Sequence, residues 1–253
     1  MSGVPTRVTG ATGPLTIAYH RTMVRSRHPS IRAGRGTDGP AADGPAADVD
    51  AVLFDFGGVL IDSPIDAFLA YERRRGLPEG FIRGVNATNH LENAWARFER
   101  NELSFDEFCD AFATETRQAG AEVDARDVFA LLTGALRPAM VEALRRLRPH
   151  FRTGLLTNNF AVPVAGEDVH HGEVLDLFDV VVASAELGIR KPDPRFYRIA
   201  CERLAVEPAR AVFLDDLGVN LKPARQLGMT TIKVVDVDQA VDDLQAVLGI
   251  PLR

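Results

Sequence analysis

Five short stretches of this chain are apolar almost without interruption: 51–55 (AVLFD), 153–157 (TGLLT), 179–184 (DVVVAS), 211–215 (AVFLD) and 230–235 (TTIKVV). None alternates apolar with polar. Strands buried on both faces have this pattern, as in a parallel sheet covered by helices. Between them lie segments with apolar residues at helical intervals. One runs from Asp193, placed as an N-cap, with Pro194 at the first helical position. Another starts at Pro138, and a third at Val219. The third contains Pro223, which a first turn tolerates better than a helix middle. The predicted class is α/β.

One connection does not fit a simple crossover, which needs only about a dozen residues. Residues 56–152 separate the first two runs, and the pattern there is helical. Segments IDAFLAYERRRG and LENAWARFERNELS are amphipathic. SFDEFCDAFATETRQAG carries a capping box, Ser104 with Glu107, and ends at Gly120. The expectation is an all-helical cap over 63–136 inserted into a core of 49–62 and 137–253. Residues 1–48 differ in kind, with no acidic residue before Asp38 and the repeat GPAADGPAAD. Such a segment buries little and is expected to be disordered. Its Arg-rich, acid-poor composition also fits a transit peptide, without the amphipathic helix one would carry. A start codon assigned too early would give the same tail.

Composition narrows this only modestly. With 46% hydrophobic and 25% charged residues, the 253-residue chain can bury a sizeable core. No apolar run approaches the ~20 residues of a membrane span. A formal net charge of -6 argues against general nucleic-acid affinity. Two cysteines, Cys109 and Cys201, are expected as buried thiols, consistent with the cytoplasm. There are three lysines, Lys191, Lys222 and Lys233.

Chemistry enters at the strand ends, beyond which open α/β sheets bind their ligands. Those ends carry Asp55, then Thr157 with Asn158, then Asp215 with Asp216, and Lys191 follows the third strand by a short loop. Any one of these is an ordinary turn or cap residue. Together they form a set. Asp55 and Asp216 offer hard oxygen ligands for Mg²⁺, with Asp215 placed to hold one of its waters. Thr157, Asn158 and Lys191 are donors suited to phosphate oxygens.

In its motifs the chain resembles the haloacid dehalogenase superfamily. FDFGGVL matches the first motif, with Asp55 in the nucleophile position. LLTNN matches the second at Thr157 and Asn158, GIRKPDPRFY the third at Lys191, and VFLDDLGVNLKPARQLGM the fourth at Asp215 and Asp216. The fourth motif is most similar to the phosphatase-like amino-terminal domain of soluble epoxide hydrolases and to the related domain of some acyl-CoA dehydrogenases. The resemblance implies a Rossmann-like three-layer sandwich with sheet order 5-4-1-2-3. It implies Mg²⁺ held by Asp55, the carbonyl of Gly57 and Asp216, with Asn220 ordering the last loop or capping the next helix. It also implies a small phosphorylated metabolite as substrate.

One position departs from the family pattern. Most phosphatases of the superfamily carry a second aspartate two residues after the nucleophile, and here that position is Gly57. General acid–base help, worth about 10²–10⁴-fold, is what that loss removes. Three readings remain: a phosphatase favouring good leaving groups or borrowing a cap residue, a binding or regulatory module, and a 2-haloacid dehalogenase. Within the cap, His90 is the candidate replacement acid or substrate contact, and Trp95 is expected to pack in a core. Arg73, Arg74 and Arg75 read as a solvated helix end. His170 to Glu173 read as a loop leading into a short helix rather than a metal cluster.

Overall fold

The computed structural model describes residues 48–160 and 169–253. But for Asp48, the expectation for the tail lies outside the described residues. All five apolar runs are parallel strands: β1 Ala51–Phe54, β2 Arg152–Thr157, β3 Val180–Ala183, β4 Ala211–Asp215 and β5 Thr230–Lys233. They lie in the order β3-β2-β1-β4-β5, the expected order. β1 is therefore central, and its Phe54 sits opposite both Leu155 and Leu214. That register brings the next residue, Asp55, level with Asp215 at one edge of the sheet.

Alternation along the strands sends successive side chains to opposite faces, and both faces are buried. Val52, Phe54, Leu155, Val212 and Leu214 meet Met140, Leu144 and Leu147 of α6 (Pro138–Leu147) and Val241 and Leu244 of α11 (Val237–Leu248). Leu53, Leu156 and Phe213 meet Phe196, Tyr197, Ala200 and Leu204 of α9 (Pro194–Leu204) and Leu221 and Ala224 of α10 (Gly218–Gln226). This is a three-layer sandwich. Asp193 caps α9 as expected, accepting the Arg195 N–H, with Pro194 at its first position. Pro223 lies inside α10, the helix expected to run from Val219. It is buried and stands past the first turn of α10, the part of a helix that tolerates proline better.

Five helices separate β1 from α6: α1 Ile65–Arg75, α2 Phe81–Ala87, α3 Ala94–Glu99, α4 Phe105–Gln118 and α5 Ala125–Phe129. They share a third apolar cluster that includes Phe68, Trp95, Phe98, Phe108, Phe112 and Phe129. Trp95 packs edge-on to Phe108 at 4.8 Å, the core role expected of it. The Ser104 and Glu107 capping box starts α4. Arg73 to Arg75 lie exposed in the last turn of α1, which Gly76 ends at φ +66°. A device without sequence signature starts α2: buried Glu72 accepts the N–H groups of Gly80 and Ile82 at 2.7 and 2.8 Å. The remaining helices are α7 Val169–Leu175, which contains the expected short helix at His170, and α8 Ser184–Leu187. Among the described residues no helix is long and apolar enough to cross a membrane.

Candidate active site

The site gathers at the carboxyl edge of the central strands. Asp55 prolongs β1, its N–H donating to the Leu214 carbonyl at 2.9 Å. The chain then turns sharply, with the N–H groups of Val59, Leu60 and Ile61 all directed to the Phe56 carbonyl. Gly58 makes the turn at φ +73°, and a Cβ there would fall 2.3 Å from an Asp216 carboxylate oxygen. Glycine at 58 thus serves two needs, a left-handed backbone and room for a neighbouring acid. Gly57 is different: a Cβ on it would meet nothing within 4 Å.

Lys191 is almost wholly buried, and its ammonium bridges two acids. Nζ lies 2.8 Å from Asp55 Oδ1 and 2.9 Å from Asp215 Oδ2, with the Phe213 ring 5.6 Å away. Burial works against the charge on Lys191, but Asp215 and Asp55 together outweigh it and raise its pKa. Asp215 is fully buried and well partnered. It also accepts from the Leu217 N–H at 2.8 Å and from the Asn220 amide at 3.1 Å. Asn220 in turn has its carbonyl held by the Tyr197 hydroxyl at 2.7 Å. Its amide therefore orders the fourth strand end. It does not cap α10, whose N-cap is Leu217.

Asn158 has a duty not foreseen from its residue type. Its Oδ1 accepts the Lys191 N–H at 2.9 Å and its Nδ2 donates to the Lys191 carbonyl at 3.1 Å. The amide holds the lysine loop with its oxygen and one of its two N–H groups, and so places Lys191. Thr157 ends β2 beside it, and its hydroxyl has no hydrogen-bond partner among the described residues. Next in line, Asn159 and Ser184 bind each other's loops. Arg137, which carried no sequence signal, donates to the Gly58 carbonyl at 2.6 Å and steadies the turn after Asp55. His90 lies exposed, and it is its carbonyl, not its imidazole, that touches the core, accepting from Arg190 at 2.9 Å.

The electrostatics of the cluster are unbalanced. Oxygens of Asp55, Asp215 and Asp216 all lie within 4.8 Å of one another. Three carboxylates gather about the ammonium of Lys191, a formal excess of two negative charges, with Asp55 and Asp215 buried and Asp216 half-buried. The pKa values register the strain. Burial pushes the Asp55 carboxyl well up, Lys191 opposes this, and Asp215 and Asp216 add to it. Asp216 is pushed up to about 6, by burial first and then by Asp215. An all-oxygen cluster with two surplus negative charges fits a hard divalent cation such as Mg²⁺.

A parallel sheet with an acid nucleophile candidate on its central strand, a buried lysine and paired acids on the next strand define a class of α/β hydrolase. The chain belongs to the haloacid dehalogenase-like hydrolases, whose family model matches residues 49–228. It is 38% identical to acyl-CoA dehydrogenase family member 10 of Mus musculus over 80% of this chain and 19% of that protein. It is 31% identical to bifunctional epoxide hydrolase 2 of Sus scrofa, over 80% of this chain and 39% of that one. It thus spans only a fifth to two fifths of those two relatives. A phosphatase of Mycobacterium tuberculosis is 32% identical over 72% of this chain and 85% of its own. A predicted hydrolase of the same superfamily from Porphyromonas gingivalis superposes with a TM-score of 0.58 at 19% identity, covering 81% of this chain and all of that one. The expected membership and fold are both borne out.

Proposed function

We propose that the protein is a Mg²⁺-dependent phosphatase, acting on small phosphorylated metabolites with good leaving groups through an aspartyl-phosphate at Asp55. The observation that carries this is the cluster of Asp55, Asp215 and Asp216, the first two paired with buried Lys191, with its formal surplus of two negative charges. The likeness to a phosphatase that this chain nearly spans supports it.

Among the described residues, Lys191 and the Phe56 N–H both contact Oδ1 of the Asp55 carboxylate, and Oδ2 is the oxygen assigned to attack phosphorus. The new bond is Oδ2–P, and the bond that breaks is P–O to the leaving group. Lys191 reduces the repulsion between carboxylate and phosphate and holds charge on the phosphoryl oxygens. The Thr157 hydroxyl is a further donor. Water then attacks the aspartyl-phosphate, releasing inorganic phosphate and restoring Asp55. Asp55, Asp216 and the Gly57 carbonyl would hold the Mg²⁺. Asp215, its oxygens already engaged, positions Lys191 and Asn220. When bound, the cation neutralises the surplus charge and polarises the phosphoryl group. Gly57 provides no acid, so the leaving group must depart without a proton from that position. Acyl phosphates and sugar 1-phosphates meet that condition. Residues 63–136 act as a cap over this core, and the free thiols of Cys109 and Cys201 fit a cytoplasmic setting.

The test is phosphate release from a panel including acetyl phosphate, with and without Mg²⁺, using Asp55→Asn as the blank. Mg²⁺-dependent release lost in the variant is expected. Tight binding of phosphate esters with no turnover would replace this reading with a binding module. Turnover of 2-haloacids that persists in EDTA would replace it with a dehalogenase.

A further inference from the structure

Arg190 precedes Lys191 and does not face the carboxylate cluster. It turns to the inserted helices. Its guanidinium Nε contacts the Glu99 carboxylate at the end of α3, and its Nη1 donates to the His90 carbonyl at 2.9 Å. Both members of the pair are mostly buried, with side-chain exposures of 18% and 13%. Burial pushes the Glu99 carboxyl up, and Arg190 is the chief influence against it. An ion pair taken out of water holds only where geometry is kept, and removing one partner leaves the other charge stranded.

A second contact joins the same two bodies. Phe160 lies two residues past Asn158, yet its ring packs in the apolar cluster of the inserted helices. It stacks on Phe98 at 5.0 Å and lies 5.2 Å from Phe129 and 5.5 Å from Trp95. Because the Asn158 amide grips the Lys191 peptide on both sides, the Phe160 and Arg190 loops are one unit. Phe98 and Glu99 are neighbours on α3, so one turn of one helix receives both contacts.

We infer that Arg190 is a positioning residue: by pairing with Glu99 and the His90 carbonyl, and together with Phe160, it fixes α3 to the loop that orients Lys191. The placement of the inserted helices and of the ammonium are then set together. A substrate that fits beneath α3 finds Lys191 in place, and one that displaces α3 moves it. This rests on the phosphatase reading for its kinetic consequence but not for the contact itself.

The test uses the full chain with Mg²⁺ and the variants Arg190→Met, Glu99→Gln, their double, and Arg190→Lys. For acetyl phosphate, each single variant lowers kcat/KM by about ten- to hundredfold, the scale of a slight misplacement at the site. The double is no worse than the poorer single, because both remove one interaction. Arg190→Lys recovers part of the loss. Hydrogen exchange rises together at 88–99 and 186–192 in either single variant while β1 and β4 stay protected. Losses that multiply in the double, or faster exchange spread evenly over the molecule, would overturn the inference. If the unmodified protein releases no phosphate, the hydrolase reading fails while the exchange pattern still decides the clasp.

Discussion

Two adjacent glycines in the turn after Asp55 stand in opposite situations. Gly57 faces open space at a backbone angle that any residue adopts, whereas Gly58 is left-handed and pressed against Asp216. Gly57→Asp should therefore fold normally and supply the acid that position lacks. The expected gain is at least about a hundredfold on alkyl phosphates, the lower end of what general acid catalysis provides, and little on acetyl phosphate. Gly58→Ala should lose activity with both substrates and be destabilised by about 1–2 kcal/mol from backbone strain alone. Parallel assays on the two substrate types, with urea denaturation of both variants, check this. An alkyl-phosphate rate unmoved by Gly57→Asp would mean that proton transfer does not limit the reaction. Sequence made Asp55, Asp215 and Asp216 legible because they stand where buried runs stop, and Lys191 because it is one of three lysines and follows the third strand by a short loop. It could not show that the Asn158 amide holds the Lys191 loop, since a side chain's partner thirty-three residues away leaves no local trace.

At the scale of elements, the central strands β1 and β4 were readable because burial on both faces leaves them apolar up to their ends. The long helices α4 and α9 were readable from their caps. The short α2 and α5 were not, having too few turns to show a period. The start of α2 depends on Glu72, eight residues before Gly80, a contact only the folded chain makes. The inserted helices have their own aromatic core, and Phe98 is its hub, stacked on Phe108 at 4.5 Å and on Phe160 from the core side. Replacing a buried phenylalanine by alanine costs about 3–5 kcal/mol. Phe98→Ala should show that loss in urea and should also loosen the Lys191 loop, lowering kcat/KM for acetyl phosphate. Phe112→Ala, in the same cluster but without contact to Phe160, should destabilise by a similar amount and leave more activity at a temperature where both remain folded. Equal activity losses in the two would show that stability alone, not the contact across to Phe160, is being read.

On the scale of the whole molecule the sheet positions a formal excess of negative charge, an arrangement that opposes folding in the absence of a cation. Burial and then the charge of Asp215 raise the pKa of Asp216, and Lys191 offsets this only in part. Active sites commonly hold such a conflict between stability and activity. Two consequences follow with opposite signs. Without divalent cation, Asp216→Asn removes one repelling charge and keeps the shape, so its melting temperature should exceed that of the unmodified protein in EDTA. With Mg²⁺ the order should reverse. A ligand that binds only the folded state stabilises by about 2.7 kcal/mol at a hundred times its Kd, and the unmodified protein should gain on that scale while the variant gains little. Melting curves of both proteins in EDTA and across a Mg²⁺ titration decide it. If Asp216→Asn melts lower in EDTA, the three carboxylates are not in conflict. If both proteins respond equally to Mg²⁺, the cation binds elsewhere and the surplus charge at the strand ends needs another partner.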